Sequence, residues 1–219
     1  MSIGNSTGLC DTVSSVTHFK NVFIKDCLGY DVFFIGDSPH SIENALIESR
    51  AARAVEVSQH GDRPQAGLSS VVFKNVLIRR ADSPQEIRVN KNSKLQAERC
   101  TFVGLNVNIT TGGAMSAKQC VFSGEPKPGI LLFPNTIWQG EGNRYDLGSL
   151  RVDKSSFTAA NFADFQKLMG ADKSSQWSAT DPVEAGADEL ALRRVEAAAK
   201  EVVSRWRSML DRKAVDTVR

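Results

Sequence analysis

The chain has 219 residues, 41% of them hydrophobic and 24% charged, which excludes wholesale disorder and leaves room for one substantial domain plus an appendage. Its 27 basic and 25 acidic side chains leave a formal net charge of +2, too weak a field to make nucleic acid a natural partner. No apolar run approaches the roughly 18 residues of a membrane span, so membrane insertion is not expected.

The N-terminal stretch from Met1 to Lys20 has neither a basic start nor an apolar core segment. As written, the chain reads as cytoplasmic or as a fragment of a larger protein. From Phe19 onward an internal repeat sets the architecture. Five segments superpose: FKNVFIK from Phe19, IENALIE from Ile42, FKNVLIR from Phe73, AERCTFV from Ala97 and AKQCVFS from Ala117. Column one (Phe19, Ile42, Phe73, Ala97, Ala117), column four (Val22, Ala45, Val76, Cys100, Cys120) and column six (Ile24, Ile47, Ile78, Phe102, Phe122) are apolar or thiol throughout. Column two (Lys20, Glu43, Lys74, Glu98, Lys118) is charged in every copy and is expected to face water as a ladder of alternating sign. Column three (Asn21, Asn44, Asn75, Arg99, Gln119) is expected to bend the chain, because Asn tolerates left-handed backbone angles.

Each copy is followed by a second strand with apolar residues two apart: Val32/Phe34, Val55/Val57, Ile87/Val89, Val107/Ile109 and Ile130/Leu132. Short strands recurring every 20 to 31 residues, without a helical period, predict a parallel β-solenoid whose coils pair with their neighbours above and below. The longest interval carries an insertion at GDRPQAG, Gly61 to Gly67, expected as a surface loop. Gly112 and Gly113 follow a strand with no lysine or helix after them and fit a solenoid corner rather than a phosphate loop.

With its stacked strands and Asn-type bends, the region from about residue 15 to 148 resembles the right-handed parallel β-helix of the pectate-lyase-like superfamily. The stretches WQGEGNRYD (Trp138 to Asp146) and FADFQKLMGADKSSQW (Phe162 to Trp177) resemble the C-terminal β-helix regions of large planctomycete-type bacterial proteins. The resemblance implies an all-β solenoid of about five to six coils. In its enzymes acidic clusters bind calcium beside a basic residue or act as paired carboxylates.

The end of the solenoid needs a cap. Thr158 followed by AANFADFQKLM, with Phe162, Phe165, Leu168 and Met169 at helical spacing and Gly170 as a stop, predicts a short capping helix beside Phe157 and Trp177. Residues 171–186 read as a linker, and a long amphipathic helix is expected from about Ala187 to Lys213. Its apolar seam is Leu192, Val195, Ala199, Val202, Trp206 and Met209, widened by Val203 and Leu210. The seam is expected to lie on the solenoid's flank or to form a partner-helix face for another chain. The domain reading is therefore 1–150 parallel β-helix, 151–181 cap with linker, and 182–219 amphipathic helix.

Candidate chemistry is sparse. Asp26, Asp31 and Asp37 are expected in solvated loops; His18, His40 and His60 recur at about coil spacing and read as surface or turn histidines more naturally than as a metal ladder. Cys100 and Cys120 occupy equivalent positions and are expected as buried, reduced thiols. Tyr30, Phe33 and Tyr145 are the candidate carbohydrate contacts. No catalytic, cofactor or metal residue is assigned. The expected function is a non-catalytic structural or protein-interaction module, self-association included, with a carbohydrate-binding or polysaccharide-lyase-like domain as the alternative.

Overall fold

The computed structural model describes residues 2–3, 7–11, 16–36, 39–59, 68–80, 85–178 and 186–217; among these, side chains are placed from residue 16 onward except at 206–207 and 209–217. Asp37, His60, the insertion at 61–67 and the side chains of Cys10, Trp206 and Met209 lie outside that description.

The chain winds into a parallel β-solenoid of about five turns with a short helix and a long C-terminal helix. Each turn lays down three walls. The first and second walls come from the repeated segment on either side of its bend. Thr17–Lys25, Pro39–Ser49 and Ser69–Arg80 run through both walls. Later turns split into Ser93–Glu98 and Thr101–Val103, Ala114–Lys118 and Val121–Ser123, and Ile137–Glu141 and Arg144–Tyr145. The third wall stacks Thr7–Asp11, Tyr30–Ile35, Arg53–Ser58, Gln85–Val89, Leu105–Ile109, Gly129–Leu132 and Ser149–Val152.

The register matches the columns of the repeat. Phe19 pairs with Ile42, Ile42 with Phe73, Phe73 with Ala97, and Ala97 with Ala117. All five column-three residues have positive φ: Asn21 56°, Asn44 53°, Asn75 53°, Arg99 50° and Gln119 51°. The left-handed bend re-aims the chain so that columns four and six point inward like column one. Arg99 and Gln119 adopt it at a cost of about 1 kcal/mol each, set against neighbours such as Ile78, Cys100 and Phe102, none of which retains any exposure. In the interior the Phe102 and Phe122 rings lie tilted at 5.1 Å, and Phe122 and Tyr145 stack at 5.4 Å.

A sixth copy of the repeat follows the five legible ones. Lys118 pairs with Glu141 and Phe122 with Tyr145, so Gly140, Glu141, Gly142, Asn143 and Tyr145 occupy columns one, two, three, four and six. Above it the solenoid closes. Ser155–Phe157 turns back antiparallel on Ser149–Val152, a 3-10 turn spans Ala159–Asn161, and helix α1 (Phe162–Met169) lies over the end, stopped by Gly170 at φ 62°. Phe162 and Phe165 are buried against Phe157, Tyr145 and Trp177. Two details differ from the sequence reading. Thr158 opens the 3-10 turn while Asn161 precedes the α-helix, and Leu168 points to solvent at 59% exposure.

Helix α2 (Glu189–Thr217) folds back onto the second wall. Phe23, Leu46 and Leu77 form column five, which points outward, and each is at most 7% exposed because Leu192, Val195 and Ala199 cover them. The approach is tracked bond by bond: Gly186 N donates to Gln119 O at 2.8 Å, Ala187 N to Thr101 Oγ1 at 2.9 Å and Asp188 N to Asn75 Oδ1 at 2.6 Å. Gly186 (φ +101°) is pressed so close to Thr101 and Val121 that a Cβ would collide with them. Asp188 then caps the helix, accepting from Ala191 N at 3.0 Å.

Candidate functional site

The first wall carries the charge ladder expected from column two. Lys20, Glu43, Lys74, Glu98, Lys118 and Glu141 face outward in register, with Lys20–Glu43 at 3.3 Å and Lys118–Glu141 at 3.0 Å. On the bend, Asn44 Nδ2 donates to Asn21 Oδ1 at 3.3 Å and Asn75 Nδ2 to Asn44 Oδ1 at 2.8 Å. That amide ladder ends on Asp188 at the start of α2. On the second wall Glu48 is gripped from both sides by Lys25, at 2.9 Å, and by Arg79. Burial works against the charge on Glu48, but hydrogen bonds from Lys25 and Arg79 outweigh it and hold the carboxyl below its ordinary range.

The richest outward chemistry lies on the third wall. Strand register puts Phe33, Glu56, Arg88 and Asn108 in one outward row and Tyr30, Arg53 and Glu86 in another, the alternation being broken by two consecutive buried residues at Asp31/Val32 and Ala54/Val55. Arg53 sits at their centre. Its guanidinium donates to Glu56 Oε2, to Glu86 Oε1 at 3.1 Å and to Tyr30 Oη at 3.3 Å, and it lies 5.9 Å from the Tyr30 ring centroid. Glu86 also meets Arg88 at 3.0 Å and accepts from Asn108. The other oxygen of Glu56 accepts from Ser58 at 3.1 Å and Asn90 at 2.9 Å. Tyr30 stacks on Phe33 at 4.5 Å, so the rows begin with an aromatic pair and continue as interlocked charges and amides.

Two glutamates here approach a shared basic residue, and a pair of carboxylates is what glycoside hydrolysis needs. Here both are occupied by fixed partners. Glu56 is only 8% exposed. A general acid must hold a proton and a base must be free to take one, whereas two arginines and three neutral donors satisfy these carboxylates.

The other sequence candidates are dispersed. Tyr145 is not a surface contact: it is fully buried in column six, where its ring continues the Phe102–Phe122 row, and burial followed by the Asp172 charge pushes its hydroxyl pKa well up. Asp31 is not a loop carboxylate either. It lies in the strand Tyr30–Ile35 with no exposure, accepts from Ser49 Oγ, and burial pushes its pKa up to about 6 against the hydrogen bonds of Ser49 and Cys27. Asp26 lies in the turn after column seven and pairs with Arg50 at 3.1 Å. His18 and His40 do not stack: Thr17 pairs with His40 and His18 with Ser41, so the two histidines face opposite ways. His40 is buried, 4.4 Å from the Phe34 ring and 2.7 Å from Thr17 Oγ1, which corrects its reading as a surface histidine. Cys27, Cys100 and Cys120 are buried, and burial followed by the neighbouring Cys120 raises Cys100 well above its ordinary value. Among the described residues no group of three or more His, Cys, Asp or Glu is placed to hold a metal, and no helix is long and apolar enough to cross a membrane.

Of the seam on α2, Leu192, Val195 and Ala199 are taken by the chain's own second wall, the first of the two placements expected for them. Val202 is 54% exposed. The sequence reading missed column five, although its signal was present. Phe23, Leu46 and Leu77 are large and apolar where alternation calls for an outward residue, so something had to cover them. Comparison with known proteins gives no matching family model, no matching curated protein and no matching solved structure.

Proposed function

We propose that this chain is a non-catalytic structural and protein-interaction module, a rigid solenoid that presents its outer walls and its C-terminal helix to other protein surfaces. The observation that carries the reading is the third wall, where Arg53 and Arg88 neutralise Glu56 and Glu86 and amides saturate what remains. A row whose glutamates are already engaged by fixed partners is suited to rigidity and docking rather than to proton transfer. The resemblance of WQGEGNRYD and FADFQKLMGADKSSQW to the C-terminal β-helix regions of large planctomycete-type bacterial proteins supports the same reading.

One observation favours carbohydrate binding as a second reading. The Tyr30–Phe33 pair, 4.5 Å apart and flanked by Arg53, is an aromatic platform of the kind on which a sugar ring stacks. Incubation with pectic and other acidic polysaccharides, with and without calcium, separates the readings. The module is expected to release no unsaturated or reducing product; turnover that disappears in Glu56→Gln or Glu86→Gln overturns the non-catalytic reading. Binding without turnover, lost in Tyr30→Ala, selects the second.

A further inference from the structure

We infer that Cys100 and Cys120 form an oxidisable pair that closes a disulfide between neighbouring coils, directly beneath the point where the lead-in to α2 is anchored.

Position argues for it first. Both cysteines occupy column four, and the coils that carry them are in register on either side: Glu98 pairs with Lys118 and Thr101 with Val121. Arg99 N donates to Lys118 O and Val121 N to Cys100 O, each at 2.9 Å, so the register is unbroken between them. Adjacent coils therefore set the two Cα atoms about 4.8 Å apart, inside the roughly 4.4–6.8 Å that a disulfide spans. Starting near the same spacing, the Cβ atoms have to close by only a few tenths of an ångström to enter their own range of about 3.5–4.5 Å.

The side chains also meet. Both point inward and neither retains any exposure. Cys120 Sγ leans toward the coil below, donating to Ala97 O at 3.5 Å as well as to Lys118 O at 3.3 Å, and lies within hydrogen-bond reach of Cys100 Sγ. Cys100 Sγ donates to Glu98 O at 3.3 Å. Val22, Ala45 and Val76 fill this column in the first three copies and Asn143 fills it in the sixth, so the thiols are brought together at one level of it.

The chemistry balances with a peroxide as the oxidant. One thiolate attacks a peroxide oxygen, the O–O bond breaks, and a sulfenic acid and water form. The second thiol then attacks the sulfenic sulfur, expelling a second water and leaving the S–S bond. Two thiols lose two electrons and two protons, and the peroxide takes up both. Burial holds the proton on Cys100, so the reaction waits on local opening of the coil and runs over minutes to hours.

The consequence falls on α2. Thr101 and Gln119, each next to one of the cysteines, accept from Ala187 N and Gly186 N. A covalent link between the two coils fixes the spacing of these anchors, so oxidation tightens the seat of the helix.

The test is to treat the folded full chain with hydrogen peroxide, block the remaining thiols by alkylation and digest with trypsin without reductant. Cleavage after Lys118 parts Cys100 from Cys120. The expected product is a disulfide-linked pair of peptides, lighter than its reduced parts by two hydrogens. The thermal midpoint is expected to rise by about 5–10 °C, because the bond closes a loop of about 20 residues, and to return on adding a dithiol reductant. Cys100→Ala places in column four the residue that Ala45 already puts there, and it should fold, form no linked peptide and show no shift. A folded chain that yields no linked peptide, one that yields it only after unfolding in urea, or a peroxide-induced shift that persists in Cys100→Ala overturns the inference. Turnover of polysaccharide, which removes the module reading, leaves this result untouched.

Discussion

The Tyr145 hydroxyl donates to the Asp172 carboxylate at 2.9 Å, at the level where the solenoid stops winding and the chain turns to cover its own end. Asp172 is 1% exposed and its carboxylate collects three further donors, Ser175 Oγ at 2.6 Å, Asn143 Nδ2 at 3.1 Å and the Trp138 indole N–H, while its backbone carbonyl accepts from Ser175 N at 2.8 Å. Asn143 in turn accepts from Cys120 N at 2.9 Å, so the last coil is tied to the cap by polar groups that another coil would otherwise have satisfied. Gly140 makes room: a Cβ there would fall on the Asp172 carboxylate.

Asp172→Ala is therefore expected to destabilise the fold by about 3 kcal/mol, since it strands several buried donors at once. Tyr145→Phe removes one hydroxyl and should cost about 1 kcal/mol. Urea unfolding of the two variants checks both values. Equal, negligible effects would mean that the cap is held by its aromatic contacts alone.

The buried Asp31 predicts a pH dependence of definite sign. Its pKa is pushed from 3.8 to about 6 in the folded chain, chiefly by burial. The folded state therefore holds this proton more tightly, and the associated stability is present below about pH 4 and lost as pH rises through about 6. The loss is roughly 3 kcal/mol. Asp31→Asn, neutral at every pH, removes this term. The stability of wild type minus that of Asp31→Asn should fall between acidic and neutral pH, and a difference independent of pH would refute the assignment.

Docking of α2 on its own solenoid makes Leu192 a core residue despite its place on a solvent-bathed helix. Leu192 is 1% exposed against Phe23, Leu46 and Leu77. Leu192→Ala should cost about 2–4 kcal/mol, whereas Leu190→Ala, at a position 64% exposed, should be near neutral. Hydrogen exchange is the complementary readout, with amides of the α2 N-terminal turns losing protection only in Leu192→Ala.

The charge ladder on the first wall predicts a salt-sensitive effect. Lys74→Glu would place three like charges in consecutive coils between Glu43 and Glu98. A loss of about 1 kcal/mol is expected at low ionic strength, shrinking as salt is added. A loss that salt does not touch would point to packing rather than charge.

Most of the solenoid was legible because its columns repeat. Val32, Val55, Ile87, Val107 and Ile130 are buried where alternation put them, and all five bend residues have positive φ. The sixth copy escaped notice because Gly140, Asn143 and Tyr145 replace apolar residues in order to meet Asp172, a partner more than 25 positions away. The buried histidine and the buried aspartate were hidden for a related reason. His40 and Asp31 are polar residues at inward positions, and only a neighbouring coil, through Thr17 or Ser49, reveals how they are accommodated. The third-wall network was unreadable in the sequence because Arg53 and Glu86 are brought together by a register shift between Arg53 and Val55.

The central claim is that the glutamates of the third wall are structural members of a paired row. A double-mutant cycle between Arg53→Ala and Glu86→Ala, read by urea unfolding at neutral pH, tests it most directly. Two charges joined at 3.1 Å and partly buried should show a coupling of about 1–2 kcal/mol. Additive effects, with no coupling, would contradict the claim and leave Glu86 free for other chemistry.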